Sequence, residues 1–503
     1  MGGSGSPQGE NAGAGSGPPE PPCPRRASGI ESTPVGIESA SDPLRVVRAR
    51  SAFRTAIGAV LCAAMLSACG GSGSERPPNL ILISIDTLRP DRLGCYGHDR
   101  DTSPAMDELA TGGARFADVT ASSPWTLPSH ASLLTGMYPS RHGVKSHLHR
   151  LHGEIPTLAE LLAARGFHTM AVVNYQNLTS RFGFDRGFES FSYVSEFSDT
   201  RDPNRTIQNR GEEIVDQALA WLEDRDDRPF FLFLHFYDVH TDLTPAPRFR
   251  DMFVQPYAGP MNGTTEQLAM LRRAGISISE ADVRHLFDLY DAEIRQLDEQ
   301  IGRLVRYLGD QGLREETLIV LTSDHGEEFQ EHGSLLHGRT YYQEVIAIPL
   351  LLNGPGVPAG LTVPEPVHLV DVAPTMLGLL GLPAPSNGDG VDLSVYWHAP
   401  ETAPRGRFLF AEADHNNERP DMQRMLRVGS NKLLYNRFSG KTELYDLSAD
   451  AEERNDLAAM QESQLTALRK RIEAFMAADR PGPAVAPPTP EEIENLGKLG
   501  YVR

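Results

Sequence analysis

Apolar residues come in two rhythms along this chain. Short continuous runs closed by polar residues occupy 79–86, 229–240 and 317–326, and read as strands buried on both faces. Between them, 156–166, 209–223 and 281–308 keep apolar residues at helical spacing, the first with Thr157 near its start and Gly166 at its end. Strands alternating with helices predict an α/β fold: a doubly wound, mostly parallel sheet flanked by helices. After Pro383 the texture changes. Segments 407–413, 425–428, 432–435 and 442–447 read as short antiparallel strands and 462–477 as a helix, giving a smaller C-terminal α+β subdomain.

Chemistry gathers where the strands end. Asp86 closes the first run, and Asp324 and His325 close the third, at the edge where open α/β sheets place their ligands. Oxygen and imidazole donors of this kind suit a divalent cation. Thr126 opens Thr126-Leu127-Pro128-Ser129-His130-Ala131-Ser132-Leu133-Leu134-Thr135-Gly136, a hydroxyl at a predicted helix start that Thr126 or Ser129 would cap. Helix amides and dipole there favour an anion. A cation lowers the pKa of a bound oxygen, so Thr126 completes a metal set of Asp86, Thr126, Asp324 and His325 as an alkoxide nucleophile.

These segments resemble the sulfatase family of the alkaline phosphatase superfamily. The resemblance rests on Ile85-Asp86-Thr87-Leu88-Arg89-Pro90-Asp91 with Gly94-Cys95-Tyr96-Gly97, and on the Thr126 run with Tyr138-Pro139-Ser140-Arg141-His142-Gly143-Val144. Ser323-Asp324-His325-Gly326-Glu327-Glu328 with Glu331-His332-Gly333, then Leu369-Val370-Asp371-Val372-Ala373-Pro374-Thr375, continue it in order. Glu443-Leu444-Tyr445-Asp446-Leu447 with Glu453, Asn455 and Leu457 extends it into the C-terminal subdomain. The resemblance implies an ester hydrolase using a divalent metal ion (Zn, Mn or Ca), with one site favoured and a second possible.

The departures change the expected chemistry. Sulfatases carry Cys or Ser in Cys-x-Pro-x-Arg, oxidised to formylglycine; Thr126 cannot become formylglycine, and His130 stands at the Arg position. The family's sulfate-gripping Lys and His are replaced by Asn174 and Gln176, and its tandem Asp-Asp by Asp86-Thr87. A formylglycine hydrate sheds sulfate by C–O elimination. A Thr ester has no second hydroxyl on that carbon, so water must attack the central atom, as is familiar for phosphoryl groups. The residues therefore lean toward a phosphate mono- or diester, while the family points to a sulfate ester.

The resemblance also implies His240 and His337 as catalytic groups facing the leaving group, and His130, Asn174, Gln176 and Arg339 as substrate contacts. Asp238, His240 and His337 form the candidate second metal site. Glu327 and Glu328 are expected to orient His325, His332 to brace the turn after Asp324, and Arg89 with Asp91 to form an ion-paired shoulder. His142 and His147 are read as rim residues, and the stretches 193–203 and 241–264 as specificity loops.

Residues 1–44, rich in Gly, Pro, Ser and Glu, cannot bury a core and read as a disordered extension, with translation expected to begin near Val46 or Val47. Arg45, Arg48, Arg50 and Arg54 then precede an apolar stretch from 56 to 68, too short to span a bilayer and shaped like a secretory signal. Leu66-Ser67-Ala68-Cys69 resembles the bacterial lipobox, which implies lipidation at Cys69 and a cell-envelope protein anchored on the periplasmic or extracellular face. Of four cysteines only Cys95 remains inside the folded region, so no disulfide framework is available. A net charge of −20 argues against nucleic acid.

The expected organisation is 1–44 extension, 45–69 signal peptide, 70–78 linker, 79–395 catalytic domain, 396–480 C-terminal subdomain, and 481–503 Pro-rich linker with a docking helix. Three functions are weighed: a hydrolase of a small-molecule, glycan or lipid ester, a phosphoglycerol- or phosphoethanolamine-type transferase, and a non-catalytic binding lipoprotein.

Overall fold

The structure is a computed structural model that describes residues 76–195, 210–414, 423–480, 482–485 and 489–490. The expected extension, signal segment, Cys69 and terminal docking helix lie outside these residues. Among the described residues no helix is long and apolar enough to cross a membrane.

An eight-stranded sheet runs in the order 361–363, 114–116, 350–353, 317–323, 79–85, 230–236, 168–173, 190–193. Asn79–Ile85 lies at its centre, parallel to both Phe230–Phe236 and Thr317–Ser323. Alternation along these strands divides the core in two. Leu80, Leu82, Phe231, Phe233, Leu318 and Val320 pack on one face with Leu127, Ala131 and Leu134 of the Thr126–Thr135 helix. Ile81, Ile83, Leu232, Leu234, Ile319 and Leu321 pack on the other with Leu286, Ile294, Leu297, Ile301 and Leu304 of the Glu280–Asp310 helix. That is why these strands read as unbroken apolar runs: both faces are covered. Leu350–Asn353 departs from the parallel pattern, pairing antiparallel with Thr317–Ser323 and Ala114–Phe116.

The predicted helices are present as Leu158–Ala163, Gly211–Asp224 and Glu280–Asp310, and the capping boxes Thr157–Glu160 and Ser279–Asp282 start the first and last. The C-terminal strands Phe408–Glu412, Gln423–Val428, Asn431–Asn436 and Thr442–Asp446 form an antiparallel four-stranded sheet, against which Leu468 and Ile472 of the Glu462–Met476 helix pack. Tyr138 and Val370 from the larger body join this smaller core.

A buried ion pair ties the two parts together. Lys432 Nζ lies 2.7 Å from Glu453 Oε1, neither side chain exposed, and 3.1 Å from Gln343 Oε1, while the Gln343 amide donates to Glu453 Oε2 at 2.7 Å. Burial pulls the Lys432 ammonium below its usual value, and Glu453 opposes that pull. Removing one partner of such a pair strands the other charge. Lys432→Met is expected to lower stability by about 3 kcal/mol, read as a fall in the urea midpoint. Adding Glu453→Gln should recover most of it, and a double variant as weak as the single one would contradict this account.

Candidate active site

Two neighbouring strands deliver the acidic pair. Ile85 and Ser323 are register partners, so Asp86 and Asp324, each one residue further, leave the sheet side by side at its C-terminal edge. Asp324 Oδ1 accepts the backbone N–H groups of Thr87 at 3.3 Å and His325 at 2.9 Å. Asp324 Oδ2 and Asp86 Oδ1 are buried and have no hydrogen-bond partner. His325 Nε2 faces both, 3.3 Å from Asp324 Oδ2 and 3.7 Å from Asp86 Oδ1. Its Nδ1 donates to the Gly326 carbonyl at 2.9 Å, which turns Nε2 into the site.

Electrostatics show what this cluster suits. Burial raises the carboxyl of Asp86 above its ordinary range and does the same to Asp324, where the Asp86 charge adds to the effect. Burial pulls the His325 ring down, but Asp324 and Asp86 outweigh it and raise it. Two orphaned carboxylate oxygens and one imidazole nitrogen, all within 4.8 Å of one another, fit a divalent cation.

Thr126 stands against this cluster. Trp125, in an extended conformation, precedes the Thr126–Thr135 helix, and no side chain caps its first turn. The expected caps are not used: Ser129 Oγ donates to the Ser123 carbonyl at 3.0 Å, and Thr126 Oγ1 donates to Asp86 Oδ2 at 3.2 Å. Thr126 Oγ1 is also 3.4 Å from His325 Nε2, and the residue is fully buried. A hydroxyl is thus aligned with a carboxylate oxygen at the dipole end of a helix.

Histidines line the remaining walls. His240 stacks on Tyr237, accepts that phenol at Nε2 (3.1 Å) and donates from Nδ1 to the Thr241 carbonyl (2.6 Å). Its ring lies 5.0 Å from that of His337, which lies 4.4 Å from that of His325. His130 bonds the Thr126 carbonyl through Nδ1 and Ser84 Oγ through Nε2, both at 2.9 Å, with Nδ1 3.5 Å from Asp324 Oδ2. Burial pushes His130 and His240 down to about 3, so both rings are neutral near pH 7.

Several expectations need correction. Glu327 orients His337, with Oε1 3.1 Å from Nδ1, and not His325. Burial pushes the Glu327 carboxyl up to about 8. Glu328 instead holds the turn that follows, accepting from Ser334 N and Thr340 Oγ1. His142 is not on a rim: it is fully buried and bonds Ser132 Oγ at 3.0 Å. Among the described residues Asp238, His240 and His337 do not gather as a metal-type cluster, and Asp238 Oδ1 accepts the Gly211 amide at 3.1 Å. Asn174 spends its amide on the Val194 carbonyl at 2.7 Å. Gln176, half-buried in a short 3-10 turn, and Arg339, exposed, keep their place as candidate substrate contacts. The stretch 241–264 carries the Pro247–Phe253 helix, and 196–203 of the other expected loop lie outside the described residues.

Some expectations stand as written. Arg89 clamps Asp91 at 2.9 Å and Glu331 at 2.5 Å, and His332 spans Glu344 and the Glu453 carbonyl. One further residue carries only a weak signal in the sequence. His235, a polar interruption in the Phe230–Phe236 run, is fully buried and presents Nε2 3.6 Å from Asp86 Oδ2.

Residues 78–382 match the family model described as Sulfatase. This chain belongs to the sulfatase family. It is 30% identical to human (Homo sapiens) arylsulfatase A over 69% of this chain and 73% of that protein, and 28% identical to choline-sulfatase of Rhizobium meliloti over 80% and 89%. In fold it is similar to the phosphonate monoester hydrolase of Agrobacterium radiobacter, with a TM-score of 0.64 and 22% identity over 80% of this chain and 95% of that one. The sulfatase-family chain is a hydrolase acting on sulfate or phosphate esters.

Proposed function

We propose that this sulfatase-family hydrolase is metal-dependent and cleaves its ester through Thr126, with a phosphate mono- or diester as the favoured substrate. The observation that carries the reading is the buried contact of Thr126 Oγ1 with Asp86 Oδ2, beside two orphaned carboxylate oxygens. Asp86, Asp324 and His325 would hold the cation, with Thr126 as the fourth donor. A bound divalent cation supplies charge neutralisation for the anionic ester and lowers the pKa of a hydroxyl.

The protein's own groups account for the rest. Asp86 Oδ2 takes the hydroxyl proton as Thr126 Oγ1 bonds to the phosphorus, and the ester oxygen departs on the side lined by His240 and His337. Water then attacks the phosphorus and gives up its proton to the departed ester oxygen, the Thr126 Oγ1–P bond breaks, and the proton on Asp86 Oδ2 returns to the threonine. Both displacements occur at the central atom, which a threonine ester requires. The phosphonate monoester hydrolase fold likeness is consistent with this preference, whereas the curated relatives support a sulfate ester as the second reading.

The deciding experiment assays the metal-reconstituted protein on an aryl sulfate, an aryl phosphate and a bis-aryl phosphate side by side. Turnover of a phosphate ester at least about tenfold above the sulfate, a difference of roughly 1.4 kcal/mol in barrier, is expected. Turnover of the sulfate alone would overturn the phosphoryl preference.

A further inference from the structure

Beside the carboxylate oxygen that accepts the Thr126 hydroxyl lies the ring of His235, which the mechanism above does not use. His235 lies next to last in the Phe230–Phe236 strand, with Ser84 as its register partner on the central strand. It is fully buried, edge-on to His130 with ring centroids 4.8 Å apart. The backbone N–H of Asn174 points at His235 Nδ1 from 3.4 Å. A nitrogen that accepts an amide hydrogen carries none itself, so the ring proton is on Nε2.

Among the described residues that Nε2–H has no acceptor. Asp86 Oδ2, at 3.6 Å, is beyond hydrogen-bond reach and already accepts the Thr126 hydroxyl. Because Nε2 bears a proton, it cannot serve as a metal ligand either. A buried donor left unpaired costs about 1–3 kcal/mol, a cost that a ligand oxygen would remove.

We propose that His235 is an oxyanion-binding donor, its Nε2–H gripping a non-bridging oxygen of the tetrahedral phosphate or sulfate group that Thr126 attacks. This rests on the hydrolase reading of the site. The donor lies on the flank of the carboxylate oxygen that holds the nucleophile, so an ester in reach of Thr126 Oγ1 brings its oxygens toward Nε2. Asn174 does not compete for the role. Its amide nitrogen is engaged with Val194, and its buried Oδ1 is an acceptor, which repels an anion. The strand-end position 174 acts instead through its backbone, by fixing the tautomer of His235. The grip is made by a neutral group, which holds an anionic product less firmly than a lysine would.

The test uses the full chain carrying Thr126→Ala and loaded with metal, titrated calorimetrically with inorganic phosphate and, separately, inorganic sulfate. Two substitutions are compared in that background. His235→Gln places an amide nitrogen where Nε2 lies, and His235→Asn places one only where Nδ1 lies. His235→Asn is expected to weaken anion binding about tenfold or more, and His235→Gln to stay within about threefold of the parent, with metal content equal in all three by elemental analysis. Four results overturn the assignment: no anion binding by the parent, equal affinity in parent and both variants, equal weakening in both variants, or loss of metal from either variant. Anion binding read this way does not need turnover. If the parent with Thr126 restored hydrolyses no ester while the Gln and Asn variants still separate, the hydrolase reading fails and the donor assignment stands.

Discussion

Thr126→Ala is expected to reduce turnover by on the order of 10⁴-fold while leaving metal content and fold intact. The side chain is fully buried and its hydroxyl has two neighbours, Asp86 Oδ2 and His325 Nε2. Its loss therefore removes the attacking atom and one hydrogen bond to a carboxylate, the latter worth about 1.5–3 kcal/mol of stability. Thr126→Ser keeps the oxygen and removes only a methyl group, so it should retain activity within about tenfold. Acid quenching during turnover followed by peptide mapping should find the ester on Thr126. An alanine variant with more than a tenth of native turnover would place the nucleophile elsewhere.

Asp324→Asn is expected to abolish the stabilisation that metal confers, and to do so without weakening the chelated protein. In the metal-free fold, Asp86 and Asp324 are buried side by side and both carboxyls are raised above their ordinary range. A carboxyl raised on folding contributes stability that is complete below its unfolded pKa and is lost as pH rises through its folded one. Chelated native protein should therefore lose stability as pH rises above about 4, the ordinary carboxylate value. Bound cation reverses that trend, adding about 2.7 kcal/mol at a hundredfold excess over its Kd. The asparagine removes one of the two charges, so the chelated variant should melt no lower than native and with a flatter pH dependence. Melting curves with and without chelator across about pH 5–8 decide the matter, and a full metal-induced shift in the variant would exclude Asp324 as a ligand.

The positions of Asp86, Asp324 and Thr126 were legible in the sequence because each announces itself locally. Asp86 and Asp324 each end an apolar strand, and Thr126 precedes a helical run closed by Gly136. What stayed hidden depends on register. His235 sits inside an apolar run, and only pairing with Ser84 and approach to Asp86 show that it faces the site. Which histidine Glu327 supports could not be read either, since His325 and His337 are both near in sequence and the turn between the Glu328–Phe329 and Leu335–Leu336 strands folds the more distant one back. His142 follows a glycine-bounded loop in sequence yet is buried against Ser132, because the Pro139–His142 turn packs on the Thr126–Thr135 helix. The C-terminal strands were legible since antiparallel neighbours are adjacent in sequence, whereas Leu350–Asn353 joins the main sheet beside a strand from which a two-stranded hairpin and a short helix separate it.

The register of Ile85 with Ser323 makes the backbone a ruler. The separation of Asp86 from Asp324 is set by the hydrogen-bond ladder between two central strands, about 4.8 Å in any sheet, and no loop has a vote in it. Insertions and deletions around the pocket can then retune which leaving group fits while the acidic pair keeps its spacing. On such a frame the change from one ester to another is a matter of rim and donor substitutions, with the spacing of Asp86 and Asp324 unaltered.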